Sequence, residues 1–298
     1  MGALGKVVLA GGTGLVGKRL REALASAGAS VTVLTRNPAG VPGGAAWEDL
    51  PRVLEGADAV INLAGEGIAD KRWSPARRKA LVDSRVDTTR RITAALAALP
   101  TPPPVLVNAS ATGFYGPRDG APVDEAAPGG KGFLAKVCRE WEAAADTAPA
   151  GVRVVKLRIG VVLAREGGAL PKMALPVKLF QGAKLGHGQQ GMSWIHIDDL
   201  VAMIVEAASN AAWEGPVNAV APYPLTNESF TKAIARQLHR PVWPVPAFLT
   251  RAAVKLLVGD MADEMLLNGV FAYPRKAEAL GFTFRHTKAE SALADLLP

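Results

Sequence analysis

Residues 7–17 read VVLAGGTGLVG, and this stretch decides the fold of the chain. Its first four residues are apolar and predict a short buried strand, and Gly11, Gly14 and Gly17 follow at three-residue spacing. The next segment, KRLREALASAG, continues at helical period. A strand that turns sharply into a helix leaves backbone N–H groups unpaired at the positive end of the helix dipole. The stretch therefore predicts a phosphate-binding turn.

The first half of the sequence alternates apolar, strand-like segments with helical segments. The predicted segments are five strands, at residues 6–10, 31–35, 58–63, 105–110 and 153–158, and three helices, at residues 15–27, 75–98 and 133–147. Unbroken apolar strands that alternate with helices are typical of a parallel sheet covered on both faces. The sequence therefore predicts an α/β fold with a Rossmann-like, doubly wound parallel sheet, in which a ligand lies at the carboxyl edge of the strands.

The regular alternation of strands and helices ends near residue 160. Beyond it come GGALPKM, FQGAKLGHGQQG and the proline-rich PVWPVPAF. We expect a dinucleotide-binding domain at residues 1–160, to which segments around 190–220 return, and a smaller C-terminal substrate lobe at residues 161–298. Within WIHIDD we expect His196 to be structural, and Asp198 with Asp199 to cap the following helix.

Composition and charge narrow the class of protein. The chain carries 34 basic and 27 acidic residues, a net charge of +7. Because the basic residues are scattered and no aromatic residues are interleaved with them, we interpret the charge as a solvated face and a basic mouth for a phosphorylated ligand, not a nucleic-acid surface. No apolar run approaches the roughly 18 residues of a membrane span. The first strand begins too early for a leader peptide, so we expect a cytoplasmic protein without a membrane partner.

Cysteine and histidine usage argues against metal or disulfide chemistry. Cys138 is the only cysteine, so no internal disulfide forms, and its place in a predicted helix favours packing over reactivity. The four histidines are well separated and show no ligand spacing. We therefore predict no metal site.

The end of the second strand indicates which dinucleotide binds. Gly11 permits the tight turn, Gly14 lets the backbone approach a pyrophosphate, and Gly17 lets helix and strand pack closely. The second strand ends in Thr35-Arg36, where an NAD-binding protein usually has an acidic residue for the ribose 2′-hydroxyl. Since arginine holds a 2′-phosphate bidentately, we predict NADP(H). The alternative is that Arg36 is a surface residue that opens a loop.

Several motifs, in this order, resemble the extended short-chain dehydrogenase/reductases. These motifs are GGTGLVG, INLAGE, NASATGFYG, LRIGVVL and SWIHIDDL. More narrowly, the chain is similar to the atypical branch labelled "epimerase family protein". That similarity rests on KRW followed by SR and TTR, on CREWEAA, on GGALPKM with GQQGMSWIHIDD, and on GDMADEMLL…YPRKAEALGFTFRH in a C-terminal extension of unassigned function. The resemblance covers about residues 6 to 297.

The resemblance implies NADP(H) on the N-terminal lobe and assigns its contacts residue by residue. The implied contacts are the phosphate turn at Gly11, Thr13, Gly14, Leu15 and Val16, the adenosine-phosphate contacts Thr35 and Arg36, the third-strand string Leu63, Ala64, Gly65 and Glu66, then Arg85 from the following helix and Val162 near the nicotinamide end. Without the resemblance, Arg85 would be interpreted as a solvated helix residue.

The proton relay that the resemblance implies is incomplete in this sequence. Hydride-transferring members of the superfamily use Ser, Tyr and Lys, with the Tyr four residues before the Lys. Here Lys136 is present, but Gly132 stands four residues before it, and the neighbouring Phe133 cannot exchange a proton. Ala111 aligns with the catalytic serine. The remaining candidate catalytic residues, each with a structural alternative, are Tyr115, Ser110 and Lys136.

Two functions stay open from the sequence. The first is an NADP(H)-dependent oxidoreductase or epimerase that acts on a nucleotide-sugar-like or other small polar substrate. The second is a non-catalytic, NADP(H)-binding redox-sensing or regulatory protein that engages a protein partner. The complete cofactor string favours the first function and the missing tyrosine favours the second.

Overall fold

A seven-stranded parallel sheet forms the centre of the molecule, as described by a computed structural model for residues 4–118 and 120–297. Its strands are β1 (Lys6–Ala10), β2 (Ser30–Leu34), β3 (Gly44–Ala45), β4 (Ala59–Asn62), β5 (Val105–Ala111), β7 (Arg153–Ile159) and β11 (Gly215–Ala219). The other strands pair in twos outside this sheet: β6 (Pro122–Val123), β8 (Val161–Leu163), β9 (Gly191–Met192), β10 (Trp194–His196), β12 (Leu225–Thr226) and β13 (Phe271–Ala272).

Helices connect the strands and continue into the C-terminal half. They are α1 (Leu15–Ser26), α2 (Leu50–Leu54), α3 (Pro75–Ala97), α4 (Phe133–Ala145), α5 (Ala169–Lys178), α6 (Ile197–Ser209), α7 (Asn227–Gln237), α8 (Ala247–Val258), α9 (Arg275–Ala279) and α10 (Ala289–Leu296). A 3₁₀ turn follows β5 at Thr112–Tyr115, and a π-helical turn follows α8 at Ala262–Leu266. No helix in the described ranges is long and apolar enough to cross a membrane.

The strand order explains where a ligand binds. Across the sheet the order is β3-β2-β1-β4-β5-β7-β11, with every pair parallel. The chain proceeds from β1 toward β3 on one side and from β4 toward β11 on the other. The order therefore reverses between β1 and β4, and the carboxyl ends of these two strands flank the crevice in which such sheets bind ligands. This is the α/β Rossmann-like fold that the sequence predicts.

The alternation of side chains along β1 builds both halves of the core. Val7 and Leu9 pack into one apolar cluster with residues of α1 and α6, whereas Val8 and Ala10 pack into another with residues of α2 and α3. All four β1 residues are fully buried. Successive side chains of a strand point to opposite faces, so an unbroken apolar strand requires cover on both faces. The predicted three-layer arrangement is observed.

The C-terminal half has an apolar core of its own. Its buried members come from α5, α7 and α10 and include Leu170, Ala174, Phe230, Ile234, Leu293 and Leu296, packed around Trp194. The chain nevertheless returns to the central sheet, because β11 pairs with β7 at the sheet edge. Helix α8 is different from its neighbours, since only Thr250 and Val254 of its twelve residues are buried.

The expected cap of α6 was wrong. The helix begins at Ile197, and the ring Nδ1 of His196 accepts the N–H of Asp198 at 3.1 Å. Asp198 instead binds Arg19 at 2.9 Å, and Asp199 accepts the backbone N–H groups of residues 285 and 286. The imidazole can replace a carboxylate here because an N-cap needs only an acceptor atom at the first turn. His196 is 1% exposed, as a structural histidine should be.

Candidate functional site

The glycine turn after β1 is shaped by close backbone approaches. Gly11 has φ +81°, and a Cβ on it would lie 2.6 Å from the carbonyl of Leu63. A Cβ on Gly17 would lie 2.2 Å from the carbonyl oxygen of Gly11. Neither distance is compatible with a side chain. These two glycines therefore bring the turn, the start of α1 and the end of β4 together.

The N-terminus of α1 is open to a ligand. No side chain in the part of the chain that the structure describes caps it, its first turn contains no acidic residue, and Gly14 and Thr13 are exposed. A Cβ on Gly14 would meet only the Gly11 carbonyl oxygen, at 3.5 Å. The first helical residues, Leu15 and Val16, are half-buried. Since unpaired N–H groups and the helix dipole both favour an anion, the turn fits a pyrophosphate.

The end of β2 places a cation beside this turn. Thr35 directly follows β2, and its hydroxyl accepts the N–H of Asn37 at 3.3 Å. Arg36 is exposed and has no carboxylate partner among the residues the structure describes. Because β2 is the neighbour of β1 in the sheet, their carboxyl ends lie at the same edge. The guanidinium is therefore available to a phosphate bound at this edge.

The string of residues 63–66, which follows β4, is held by a buried polar network. The side chain of Asn62 accepts the N–H of Ala64 at 3.1 Å and donates to Asn108 and Thr89. Asn62 and Asn108 are fully buried. Leu63 and Ala64 are half-buried, and the next two residues are exposed. The network fixes the direction in which the string leaves the sheet, toward the crevice between β1 and β4.

Arg85 is buried under this string and is not a solvated residue. It is 7% exposed, and its guanidinium donates to the carbonyls of Leu81 at 3.0 Å and Glu66 at 2.9 Å. A Cβ on Gly65 would lie 3.0 Å from the guanidinium carbon of Arg85. The group also lies over the ring of Trp141, 5.2 Å from its centroid. In this structure Arg85 therefore holds the backbone of the string by a hydrogen bond to Glu66 and by packing against Gly65.

The basic cluster at the start of α3 is compensated by acids. Arg77 pairs with Glu66, Arg78 lies 2.8 Å from Asp260, and Lys79 lies 2.5 Å from Asp83. Paired cations attract a nucleic-acid backbone less than free ones do. Arg77 and Arg78 therefore link α3 to other segments, whereas the Lys79 pair lies within α3.

Val162 lies on β8, beside β10, and is half-buried. The turn Gly167–Gly168 packs against the side chain of Leu15, because a Cβ on Gly168 would lie 3.1 Å from a Leu15 methyl carbon. Val162 also packs against the apolar cluster that contains the β1 side chains Val7 and Leu9. The phosphate turn and the β8 region thus share one wall of the crevice.

The candidate catalytic hydroxyls are both buried. Ser110 is 3% exposed and donates to Glu142 at 2.7 Å, and Tyr115 is fully buried. The Tyr115 hydroxyl donates to Asn218 at 2.6 Å and accepts from Arg158 at 3.0 Å. Burial raises the pKa of Tyr115 above its usual range. Both hydroxyls form hydrogen bonds with other side chains inside the protein. The geometry therefore does not support the proton-transfer roles suggested by the sequence.

Arg158 organises that buried network. Its guanidinium binds Glu142 at 2.9 and 3.0 Å in a bidentate pair, with both side chains about 5% exposed. It also lies over the ring of Phe114. A desolvated pair of this kind is stable only when every donor and acceptor is matched. Ser110 and Tyr115 supply such matches, which is a structural use for both.

The start of α4 lies at the sequence position where the proton relay would have its tyrosine. Gly132 has φ +101°, and the carboxylate of Glu264 accepts the N–H groups of Phe133 at 3.0 Å and Leu134 at 3.2 Å. Lys136 is largely exposed, and its ammonium lies 3.8 Å from Glu140. The acid at the helix start thus comes from the C-terminal lobe, 131 positions away in the sequence.

Two other groups singled out in the sequence are packed in the interior. Cys138 is 4% exposed, and burial raises the pKa of its thiol to about 12. His196 stacks on His286 with ring centroids 3.9 Å apart, and its Nε2 lies 3.2 Å from Asp295. The ligand atoms of His196, His286 and Asp295 lie within 4.8 Å of one another, close enough to share a cation. Since His196 Nδ1 already accepts from Asp198, its neutral ring carries the proton on Nε2 and donates to Asp295.

The sheet order, the glycine turn and the uncapped α1 define a Rossmann-like α/β protein. The chain belongs to the NAD-dependent epimerase/dehydratase family, whose sequence model matches residues 7–220. A second model, for a domain of unknown function, matches residues 245–296. The family and the extension that the sequence motifs indicate are both confirmed.

Similar proteins come from plants, animals and bacteria. The chain is 38% identical to the Arabidopsis thaliana protein named "Epimerase family protein SDR39U1 homolog, chloroplastic", over 98% of this chain and 86% of that one. The crystal structure of human epimerase family protein SDR39U1 (isoform 2) with NADPH matches with TM-score 0.90 and 35% identity, over 98% of each chain. A nucleoside-diphosphate sugar epimerase from Corynebacterium glutamicum matches with TM-score 0.80 and 35% identity, over 99% of this chain and 58% of that one.

The sequence motifs did not identify the residues that join the two halves of the chain at this site. Arg72 donates to the carbonyls of Leu256 and Leu257, and Glu264 caps α4. The motif GDMADEMLL signalled the extension but gave no role for its acids. Spacing within a sequence identifies partners one helical turn apart, and these partners are separated by more than a hundred residues.

Proposed function

We propose that the protein is an NADP(H)-dependent oxidoreductase or epimerase. The observation that carries this proposal is the uncapped N-terminus of α1 at the sheet edge where β2 ends in Arg36, which has no carboxylate partner among the described residues. One site binds the pyrophosphate that both dinucleotides share, and the other binds the 2′-phosphate, which distinguishes NADP(H) from NAD(H). The human relative solved with NADPH supports the same cofactor, and the family model, described as NAD dependent, supports a nicotinamide dinucleotide.

The proposed binding mode uses mainly the backbone of residues 1–160. Gly11, Thr13, Gly14, Leu15 and Val16 hold the pyrophosphate, Thr35 and Arg36 the 2′-phosphate, and Leu63, Ala64, Gly65 and Glu66 line the crevice. Arg85 positions that string through the carbonyl of Glu66. Val162 lies at the nicotinamide end, and residues 161–298, apart from the strand that returns to the sheet, form the substrate lobe.

When bound, the nicotinamide ring exchanges a hydride with a substrate carbon. The chain positions the cofactor and keeps water away from it, because Leu63, Ala64 and Val162 present small apolar surfaces. The hydroxyls of Ser110 and Tyr115 donate to Glu142 and Asn218 inside the protein, so the proton of the substrate oxygen passes to another polar group. The Lys136 ammonium, which lies 3.8 Å from Glu140 in an exposed pair, can exchange that partner for the ribose.

We propose a substrate of the nucleotide-sugar class or another small polar molecule. The Corynebacterium glutamicum structure is described as a nucleoside-diphosphate sugar epimerase, and its fold extends over nearly the whole of this chain. The cytoplasmic location stays a prediction, since the Arabidopsis relative is named chloroplastic.

Cofactor titration tests the first step of this proposal. Calorimetric titration with NADPH, NADP⁺ and NADH should give tight binding only for the two phosphorylated forms. Equal affinity for NADH would contradict the assignment of Arg36. The second step is a screen of sugar nucleotides and small carbonyl compounds, in which loss of reduced-nicotinamide absorbance reports turnover.

A non-catalytic role is the second candidate, and the start of α4 favours it. Where the proton relay has a tyrosine, this chain has glycine and phenylalanine, and a carboxylate from the other lobe already accepts the helix N–H groups. In this role NADP(H) stabilises one arrangement of the two lobes, and a protein partner recognises it. Tight cofactor binding with no turnover across the substrate panel would support this second candidate.

A further inference from the structure

Two segments of the C-terminal half contain most of the excess positive charge of the chain. Residues 169–190 and 225–247 together have six lysine and arginine residues and one acidic residue, so they account for five of the seven net positive charges. The two segments are neighbours in the structure, because α5 and α7 pack into the same apolar core. Charges that are scattered along the sequence thus lie on adjacent elements.

A groove of about 360 Å³ lies where these segments meet. Its charged wall contains Lys184, Lys232 and Glu228, and its other wall is residues 242–247, whose sequence VWPVPA is entirely apolar. The carboxylate of Glu228 lies 2.8 Å from the ammonium of Lys232 and 3.6 Å from that of Lys184. One carboxylate cannot neutralise two ammonium groups, so the charged wall keeps an excess positive charge. We call this cavity the C-lobe groove.

Further cations lie beside the C-lobe groove. The guanidinium of Arg240 lies over the ring of Phe180, 4.5 Å from its centroid, and Lys178 precedes that phenylalanine by two residues. Arg236 lies one helical turn beyond Lys232 on α7. These three cations are exposed, and none has a carboxylate partner among the residues that the structure describes. They add to the positive charge of the wall.

The apolar wall is fixed to the protein by hydrogen bonds. The indole N–H of Trp243 donates to the carbonyl of Phe180 at 2.7 Å, and the backbone N–H of Trp243 donates to the carbonyl of Gly182 at 2.8 Å. Phe180 has φ +61°, a left-handed conformation that residues other than glycine rarely adopt. The Trp243 side chain is nevertheless 52% exposed. The groove therefore presents an aromatic surface that is already in place, which lowers the entropy cost of binding.

The pattern of charge and apolar surface favours an acidic segment of a protein as the occupant. An anionic partner is complementary to the excess positive charge. A flat bilayer contacts only the rim of a concave groove, and phosphate groups of a nucleic acid offer only acceptors, which Glu228 repels. A protein segment can place carboxylates on the cations, an apolar side chain on Trp243 and a backbone N–H on Glu228.

We propose that the C-lobe groove binds an acidic segment of a protein partner. An apolar side chain of that segment packs on Trp243, and its carboxylates pair with Lys184 and Lys232. Exposed ion pairs contribute little affinity individually, whereas a buried aromatic contact contributes much. The apolar wall therefore supplies affinity, and the cations select an acidic partner. The proposal requires neither a bound cofactor nor catalytic activity.

Fluorescence anisotropy without cofactor tests the proposal. The probes are short labelled peptides in which glutamate and aspartate alternate with leucine and phenylalanine. The wild type should bind them in the micromolar range, and Lys232→Glu and Trp243→Ala should each weaken binding at least about tenfold with unchanged circular dichroism. Arg90→Glu, which reverses an exposed cation on α3, is the matched control and should bind like the wild type. A wild type that binds none of the peptides would overturn the proposal, as would an equal loss in Arg90→Glu.

Three further probes determine the class of the occupant. Peptides with alanine in place of leucine and phenylalanine keep the charges and should bind at least about tenfold more weakly. Equal binding of these peptides would overturn the proposal, because charge alone would then explain it. A single-stranded oligonucleotide and vesicles of phosphatidylglycerol should not displace the acidic apolar peptides. Displacement by either probe, lost in Lys232→Glu, would overturn the proposal in favour of a nucleic acid or a lipid surface.

Discussion

The carboxylate of Glu264 caps the helix that begins at Phe133, with hydrogen bonds of 3.0 Å to Phe133 and 3.2 Å to Leu134. A Cβ on Gly132 would lie 2.8 Å from the same carboxylate, so the acid also requires a glycine beside it. Helix starts have unpaired N–H groups and a positive dipole end, and both are satisfied here by the C-terminal extension. One acid therefore links the domain of unknown function to the helix that contains Lys136.

Glu264→Ala should destabilise the protein by about 1 kcal/mol, the usual cost of a lost helix cap. The loss arises because two N–H groups of α4 become unpaired. Urea unfolding measures the change. Glu22→Ala, which removes only an exposed partner of Arg19, should change stability by less than about 0.5 kcal/mol. Equal effects of the two substitutions would contradict the capping role.

Gly17→Ala and Gly14→Ala should separate folding from cofactor binding. The new Cβ at position 17 would lie 2.2 Å from the Gly11 carbonyl oxygen, so the turn must shift and stability should fall by about 1 to 3 kcal/mol. The Cβ at position 14 meets nothing closer than 3.5 Å, so stability should be nearly unchanged. Gly14→Ala should still weaken NADPH binding, because its methyl lies on the open side of the turn. Unfolding curves and cofactor titration check both outcomes.

Arg36→Ala should weaken NADPH binding by about 10- to 100-fold, the range expected for one charged hydrogen-bonded contact. NADH binding should be unchanged, because NADH has no 2′-phosphate. Calorimetric titration of both dinucleotides measures the selectivity. Arg52→Ala removes an exposed arginine near Asp49 and should leave both affinities unaltered. A uniform loss for the two dinucleotides would show that Arg36 does not recognise the phosphate.

Tyr115→Phe should lower the free energy of unfolding by about 1 to 3 kcal/mol, because it leaves buried polar partners unpaired. Those partners are Asn218 and Arg158. NADPH affinity should be unaltered. Thermal unfolding with cofactor titration provides the two readouts. The control is Tyr223→Phe, in which the ring is 58% exposed and stability should not change. Full stability with lost turnover would instead make Tyr115 a catalytic residue.

Stability should fall as pH is lowered through the range just below 6.5, the ordinary pKa of histidine. Burial first, and the neighbouring His286 second, lower the pKa of His196 in the folded protein, although Asp198 and Asp295 oppose this. The unfolded chain therefore binds a proton at a higher pH than the folded chain does. Between the two pKa values protonation favours unfolding, so stability is lost on acidification.

His196→Asn should reduce that pH dependence. The asparagine oxygen can still accept the N–H of Asp198, and the side chain does not titrate. Urea midpoints measured from pH 8 to pH 5 for both proteins check the expectation. His187→Asn, at an exposed position, is the control and should keep the wild-type dependence. An unchanged slope in His196→Asn would assign the effect to another group.

Much of the fold follows from local sequence. The strand of residues 6–10 and the helix from residue 15 are observed within one residue of their predicted ends, because apolar runs and glycine spacing act over a few positions. Helix α3 begins at Pro75 after the Ser74 cap, also a local signal. The same alternation predicts a crevice at the carboxyl edge of the strands, and the strand order of the structure puts it between β1 and β4. For these elements the sequence contains both the pattern and its boundaries.

Local sequence patterns could not predict whether the candidate catalytic residues lie in the crevice or in the interior. Ser110 and Tyr115 are polar residues near the end of β5, and the sequence leaves them equally suited to a crevice or to the interior. Their environment depends on Arg158 and Asn218, which arrive from β7 and β11. Only the packing of those strands shows that both hydroxyls are matched inside the protein.

The sequence by itself determined the parallel sheet, the glycine turn and the cation after β2, since short-range backbone preferences and hydrophobic periodicity specify them. The tertiary structure alone decided that Arg85 is buried under Glu66, that Glu264 caps α4, and that α8 turns an apolar face outward. Contacts between distant segments depend on how the layers pack, and no periodicity within one segment encodes that packing.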